Sequence, residues 1–291
     1  MREKRNHLAC DTNLRSNAGL ARHTPILNGA RSLWEYRVFI LGSVKREFQA
    51  KYNGSLLGSA WTAINPLSMI FVYTIIFSRV MHARLPGSTG NEHGSYGIFL
   101  CAGIFSWGLF SEVINRCIWM FINNAGLLKK LSFPRLCLPT IEVLSSTINF
   151  IVVLSLLSTF LVINGSFPGY HIIAAVPLTV ILLTFAVGLG INLGILNVFF
   201  RDVGPASGIL LQFWFWLTPI VYTADILPVR AQTLININPM TPIIDGFQRI
   251  LVAGTWPKWN TLIYPSTASI LLCFISYILF TRNSGDIVDE L

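Results

Sequence analysis

Charged side chains are scarce in this chain, and their scarcity decides its class. Only 12% of the 291 residues are Asp, Glu, Lys or Arg, whereas 53% are hydrophobic. Soluble domains average about 25% charged residues. The composition therefore excludes an ordinary soluble protein and predicts an integral membrane protein.

The signatures of catalysis and metal binding are also missing. The sequence has no GxxxxGK[ST] nucleotide-binding loop, no HExxH motif and no CxxC pair. We therefore expect no catalytic residue, no metal site and no cofactor bound by this chain. Residues 1–30 are polar and lack the apolar core of a signal peptide, so we expect a disordered tail there.

Long apolar runs dominate the remainder of the sequence. A helix needs about 20 such residues to cross the hydrocarbon layer. Six windows qualify, namely 61–80, 96–122, 136–163, 170–200, 206–223 and 261–281. The pattern predicts an all-α integral membrane protein with a six-helix transmembrane domain over 61–281, and both termini on one side.

The distribution of Lys and Arg predicts which side that is. The first 51 residues carry ten of them, and Lys129, Lys130, Arg135, Arg201 and Arg282 bring the total on that side to fifteen. The loops on the opposite side hold five. Since Lys and Arg concentrate in cytoplasmic loops, the tails 1–30 and 282–291 are predicted to be cytoplasmic. The net charge of +8 then reflects topology and contact with anionic lipids, not nucleic acid.

Two segments outside the windows are still partly apolar. Residues 31–60 carry an imperfect apolar stripe (Trp34, Val38, Leu41, Val44, Phe48 and Tyr52), which predicts an amphipathic helix on the membrane surface. The loop 224–260 has a middle that is too apolar for solvent and too short to span. It predicts a re-entrant helical hairpin between spans five and six, with a flap on the outer surface as the alternative.

Three charged residues fall inside the predicted spans. Glu112 and Arg116 lie one turn apart in span two, and Glu142 lies near the start of span three. An isolated charge in a span costs on the order of 2.5–3.5 kcal/mol, so pairing is expected. We predict an Arg116–Glu142 contact with Glu112 as second partner; separate snorkelling to the interface is the alternative.

Span five contains a run of aromatic residues. The run comprises Phe213, Trp214, Phe215 and Trp216, and Tyr222 follows it. Flat aromatic faces give large contact area without fixed hydrogen bonds, which suits a substrate that slides past them. These residues are therefore candidates for a substrate pathway, and helix packing is the equally weighted alternative.

The segment NNAGLLKKLSFPRLCLP, residues 123–139, carries a family resemblance. With its flanks SWGLFSEV and IEVLSSTINF, it resembles the coupling-helix region of the permease subunit of bacterial polysaccharide ABC exporters, the O-antigen, capsule and teichoic acid type. The segment KREFQAKYNGSLLGSAWTAINPL is similar to the interface helix of that family. The resemblance as a whole covers residues 31–280. It implies a coupling helix over 125–136. The residues it assigns to ATPase contact are Leu127, Leu128, Lys129, Lys130, Phe133, Pro134 and Arg135.

The resemblance implies a transport subunit of the bacterial inner membrane, not an enzyme. Such a permease moves a lipid-linked polysaccharide outward as a homodimer, paired with two ATP-binding cassette subunits that hold ATP and Mg. A drug or peptide efflux permease of the same superfamily is the first alternative, distinguished by raised drug tolerance on overexpression. An ion-coupled secondary carrier is the second, distinguished by transport without an ATPase.

Overall fold

The computed structural model describes residues 33–52, 57–80, 95–130 and 137–282, together with Ile287 and Glu290. Within these residues the regular structure is entirely helical, and they contain no β-strand. The all-α prediction is confirmed for this part of the chain.

Ten α-helices follow one another in the described residues. They are α1 (Arg37–Tyr52), α2 (Trp61–Thr74), α3 (Ser95–Asn123), α4 (Ala125–Lys130), α5 (Cys137–Ile163), α6 (Ala175–Phe199), α7 (Val203–Leu217), α8 (Val229–Ile237), α9 (Met240–Gln248) and α10 (Trp259–Arg282). Helix α2 continues into a π-helical stretch, Ile75–Val80, and α9 continues into another, Arg249–Ala253. A 3₁₀ turn, Gly169–Ala174, leads into α6.

Four of the predicted spans appear as helices long and apolar enough to cross a membrane. These are Tyr96–Asn123, Cys137–Ile163, Gly169–Phe199 and Trp259–Arg282. The first and fifth predicted windows form the shorter apolar helices Trp61–Phe77 and Val203–Leu217. The 15 residues of α7 rise only about 22 Å, less than the hydrocarbon thickness of about 30 Å.

The predicted end of span five, at residue 223, is wrong for the helix. Helix α7 ends at Leu217, and Thr218 has extended backbone angles (φ −103°, ψ 135°). Thr218 precedes Pro219, and the ring of a proline disfavours helical angles in the residue before it. The chain therefore leaves the helix six residues before the apolar run ends.

Helix α6 lies in the centre of the bundle, between α3 and α10. A Cβ added to Gly194 would lie 2.5 Å from the carbonyl oxygen of Cys117 in α3. A Cβ added to Gly188 would lie 2.9 Å from the backbone nitrogen of Cys273 in α10. Small residues are common where membrane helices approach this closely. Here Gly194 and Gly188 allow the backbones of α3 and α10 to contact α6.

We expect Gly194→Ala to destabilise the protein by about 1–3 kcal/mol, because the new methyl group meets backbone atoms that cannot move aside. Gly108→Ala is the matched control, since nothing lies within 4 Å of its added Cβ, and it should be neutral or slightly stabilising. Thermal unfolding of the two purified variants measures the difference. Equal melting temperatures would contradict the close approach of α3 and α6.

Helix α1 packs against α5 along a face that includes Val44 of the predicted stripe and Ile40 from outside it. Ile40 and Val44 are buried in a cluster with Cys137 and Ile141. By contrast, Trp34, Val38 and Leu41 from the predicted stripe are exposed. The stripe prediction assumed one apolar partner for this helix, the membrane, whereas the structure adds a second partner, α5.

The short helix α9 is enclosed by the long helices. Met240, Ile243, Ile244 and Phe247 are completely buried in the main core, and Phe247 packs edge-on against Phe150 of α5. The π-helical stretch after α9 ends at Gly254, whose left-handed backbone (φ 57°) suits glycine at a helix end. The apolar middle of the loop 224–260 therefore forms part of the protein core.

Candidate functional site

Arg116 of α3 lies at the centre of a cluster of charges. Its Nε lies 3.1 Å from Glu112 Oε1, and its Nη1 lies 3.1 Å from Glu142 Oε2 of α5. The Arg116–Glu142 contact predicted from the sequence is present, and Glu112 is a second partner. The side chains are not snorkelling separately.

A third carboxylate, which the sequence analysis missed, completes the cluster. Glu47 of α1 forms an ion pair with Arg116 Nη1, and Ser145 Oγ donates a hydrogen bond of 2.6 Å to Glu47 Oε2. Glu47 follows Ile40 and Val44 at helical spacing on the buried face of α1. An acidic residue on the same face as two buried aliphatic residues was the available signal.

The cluster joins three helices through partly buried charge. Its four charged side chains are between 18% and 33% exposed. Asn149 Nδ2 donates a hydrogen bond of 3.2 Å to Glu112 Oε2, so Glu112 and Glu47 each accept a hydrogen bond from a neutral side chain of α5 as well. Pairing removes much of the cost of holding charges away from water. We call this group (Glu47, Glu112, Arg116, Glu142, Ser145 and Asn149) the charge clamp.

Helices α3 and α5, which the clamp joins, directly flank the segment predicted to contact an ATPase. Within that segment, α4 covers Ala125–Lys130 and includes Leu127 and Lys130. Leu128 is buried against Met120, Leu138 and Ile195, so it belongs to the protein's own core. Gly126 and Lys129 are exposed. Phe133, Pro134 and Arg135 lie outside the described residues.

The aromatic run in α7 divides into an inward and an outward pair. The Trp214 ring packs against Trp107, Phe110 and Phe185, and its Nε1 donates a hydrogen bond of 2.9 Å to Asn238 Oδ1. Phe215 also meets Trp107 edge-on. These two side chains pack helices together, as one of the two sequence interpretations held.

Phe213 and Trp216 point away from the core, with exposed fractions of 66% and 60%. They lie three residues apart on one helical face, with Ile209, Leu210 and Leu217 exposed around them. Tyr222 donates a hydrogen bond of 2.9 Å from its hydroxyl to the carbonyl oxygen of Trp216. We call Ile209, Leu210, Phe213, Trp216 and Leu217 the α7 stripe.

The opposed roles of Trp214 and Trp216 give a direct prediction. We expect Trp214→Leu to destabilise the protein by about 1–3 kcal/mol, because it removes a packed ring and one of the two hydrogen bonds that Asn238 Oδ1 accepts. Trp216→Leu should change stability by less than about 0.5 kcal/mol, because the ring is exposed. Thermal unfolding of both variants tests this. A larger loss for Trp216→Leu would reverse the assignment.

Metal chemistry finds no support in the described part of the chain. No group of three or more His, Cys, Asp or Glu side chains there is arranged to hold a metal ion. The clamp carboxylates face a guanidinium, and this arrangement can hold helices together. What the geometry offers is a set of ion pairs that holds α1, α3 and α5 together, about two helical turns before the end of α3 that leads to α4.

Named relatives align with almost the whole chain. The O-antigen export system permease protein RfbA of Myxococcus xanthus is 27% identical over 263 residues, covering 90% of this chain and 98% of that protein. The protein of the same name from Klebsiella pneumoniae is 29% identical over 239 residues, covering 81% and 88% respectively. The polysialic acid transport protein KpsM of Escherichia coli is 21% identical over 259 residues, covering 88% and 98%.

The family comparison covers the clamp, α4 and the α7 stripe together. A model of the ABC-2 type transporter family matches residues 40–252, which is more than two thirds of the chain. The matched region runs from α1 to the π-helical stretch after α9. This protein is therefore a multi-pass membrane protein that belongs to the ABC-2 type transporter family.

Proposed function

We propose that this chain is the permease subunit of an ABC exporter that moves a lipid-linked polysaccharide outward across the bacterial inner membrane. The observation that carries the proposal is the near full-length similarity to permeases named for O-antigen export. A transport subunit needs no catalytic residue of its own. Energy would come from ATP and Mg bound by a separate ATP-binding cassette subunit.

The ATPase contact belongs on the end of the bundle that carries α4. There α4 links α3 to the segment leading into α5, and Gly126 and Lys129 are exposed on it. The charge clamp holds α1, α3 and α5 together near this end. A movement of the ATPase subunit that displaced α4 would therefore move α1, α3 and α5 together. Such a concerted movement is what would couple ATP hydrolysis to transport.

The full membrane topology is part of the proposal. We assign six spans, with α2 and its π-helical extension as the first and α7 with the following residues as the fifth. Exposed apolar side chains on both support contact with lipid or with a second copy, for example Phe71 on α2 and Leu210 on α7. Both termini are then cytoplasmic, and α1 lies along the cytoplasmic membrane surface.

Helices α8 and α9 would form the re-entrant hairpin on the outer side. The complete burial of Ile243, Ile244 and Phe247 supports a position within the bundle and weighs against a flap on its surface. Non-spanning backbone is tolerated at membrane depth where protein covers it. The hairpin thus lies at the end of the conduit opposite α4.

Two copies of the permease would assemble with two ATPase subunits. The α7 stripe supports this, because its exposed rings at 213 and 216 form one continuous apolar face. In a dimer, part of this face would border the space between the copies. Phe213 and Trp216 are then the residues of the aromatic run that remain available to contact sugar, and Tyr222 supports Trp216 from the end of α7.

Deleting the gene tests the function. The deletion strain should lose its surface polysaccharide, accumulate lipid-linked glycan at the inner membrane, and recover when the wild-type gene is supplied. Drug tolerance should not change. Intact surface polysaccharide with reduced drug tolerance would instead support an efflux permease.

A further inference from the structure

A cavity of about 620 Å³ opens at the end of the bundle opposite α4. Its walls come from the start of α3, the connection between α7 and α8, helices α8 and α9, and the start of α10. Small-molecule sites typically measure about 300–1,000 Å³, so the cavity is large enough to hold a ligand. It lies within one copy of the chain and is distinct from the outward face of the α7 stripe.

The floor of the cavity is buried and partly polar. Phe99, Thr241 and Gln248 line it and are each less than 9% exposed. The Gln248 side-chain amide donates long hydrogen bonds of 3.4 Å to the carbonyl oxygens of Pro219 and Ile220. Its amide oxygen accepts no hydrogen bond from the described residues. An acceptor at the base of an open cavity is available to a ligand hydroxyl.

The rim carries amide, hydroxyl and aromatic groups. Asn236 of α8 and Asn260 of α10 are both exposed there, and so is Tyr264 with half of its side chain accessible. The charged residues are balanced, with Asp225 and Asp245 against Arg249 and Lys258. Arg249 pairs with Asp245 at 2.6 Å, whereas Asp225 and Lys258 have no ion-pair partner among the described residues.

This chemistry selects one class of ligand. Balanced charge disfavours a phosphate, which needs an excess of cations, and equally a metal cation, which needs an excess of carboxylates. An apolar drug would leave the amides and charges unpaired. A saccharide satisfies both parts of the lining, because its hydroxyls pair with amides and carboxylates while its C–H faces pack on tyrosine rings.

We propose that this cavity is a glycan-binding site that holds a short run of sugar units of the exported polysaccharide. The inference rests on the proposed function, and it adds a binding site for the substrate to it. Two of the helices that form the site are held in place by the rest of the bundle. Helix α9 is buried in the main core, and α10 is one of the long helices. A glycan segment seated there would be held beside the re-entrant hairpin as it leaves the membrane.

The test uses the detergent-purified permease–ATPase complex and a defined probe. The probe is the surface polysaccharide of the source cell, freed of lipid and cut by partial acid hydrolysis into fragments of a few sugar units. Binding is measured by isothermal titration calorimetry and by saturation-transfer NMR. The variant Asn260→Ala/Tyr264→Ala should bind the fragments at least about tenfold more weakly than the wild type, because it loses a hydrogen-bonding amide and a ring face.

The matched control is Asn164→Ala/Tyr170→Ala, which changes the same residue types at the same end of the bundle but outside the cavity. Both of its residues are exposed, and it should bind like the wild type. Asn236→Ala, on the opposite wall, provides a second variant and should also weaken binding. Since all of these side chains are exposed, folding is checked by gel filtration and retained basal ATPase activity.

The possible results separate clearly. Weaker binding in both cavity variants with unchanged binding in the control supports the site. Wild-type binding in the cavity variants, or no fragment binding by the wild type, overturns it. The proposed function fails on a different observation, namely surface polysaccharide that persists in the deletion strain.

Discussion

Arg116→Leu is expected to abolish export and to reduce the amount of assembled permease. The change leaves Glu47, Glu112 and Glu142 facing one another without a cation, at positions where all three are at least two-thirds buried. Removing one partner of a buried ion pair typically costs about 3–5 kcal/mol. That is a large fraction of the stability of a typical domain, about 5–15 kcal/mol.

A milder series separates coupling from folding. Arg116→Gln and Glu142→Gln should each reduce export strongly, and the double change should lose less than the sum of the two, because both remove the same interaction. Glu47→Gln keeps the side-chain shape and should loosen α1 from α3 while the remaining pairs hold. Lys45→Gln, an exposed change on the same helix, is the control and should export normally. Strictly additive losses would show that the clamp residues act independently.

Gly126→Trp is expected to uncouple ATP hydrolysis from transport. Gly126 is exposed on α4, and no atom of the described residues lies within 4 Å of an added Cβ, so a side chain added there points into open space among those residues. A docked ATPase subunit would occupy that space. The variant should insert and fold, yet lose stimulated ATP hydrolysis and export by tenfold or more.

Gly126→Ala is the matched control, because a single methyl group fits in the same space and should leave coupling nearly unchanged. Comparing Gly126→Trp with Gly126→Ala separates coupling from folding better than Leu128→Asp does. Leu128 is buried against α3, α5 and α6, and a charge there would disrupt the packing of this end of the bundle. Stimulated ATPase activity in the purified complex is the measurement. Full stimulation in Gly126→Trp would place the ATPase contact elsewhere.

Much of the fold was readable from local sequence. The helix Tyr96–Asn123 matches the window 96–122 almost residue for residue, because a long apolar run bounded by polar residues has few other stable conformations in a membrane. The Arg116–Glu142 contact followed from the same physics, because a charge in a span needs a partner. The early end of α7 was missed, because span five was predicted to run to residue 223, although Thr218 before Pro219 was an available signal.

The remaining features depend on tertiary packing that a single sequence does not reveal. Glu47 lies 69 residues from Arg116 in the chain, and its role depends on which face of α1 meets α5. The sequence of the aromatic run did not indicate which rings face the core and which face outward, because adjacent aromatic residues are equivalent by composition. The orientation of Trp214 is set by three rings from α3 and α6 and by Asn238, all distant in sequence.

The most direct test of the proposed function is reconstituted transport. The permease and its ATPase subunit are placed together in proteoliposomes loaded with lipid-linked glycan from the source cell, and the glycan that crosses the bilayer is measured with a membrane-impermeant lectin. The proposed function predicts transport that requires ATP and Mg, stops in Arg116→Leu and Gly126→Trp, and continues in Lys45→Gln and Gly126→Ala. Glycan that crosses equally without the ATPase subunit, or that never crosses while a drug does, would contradict it.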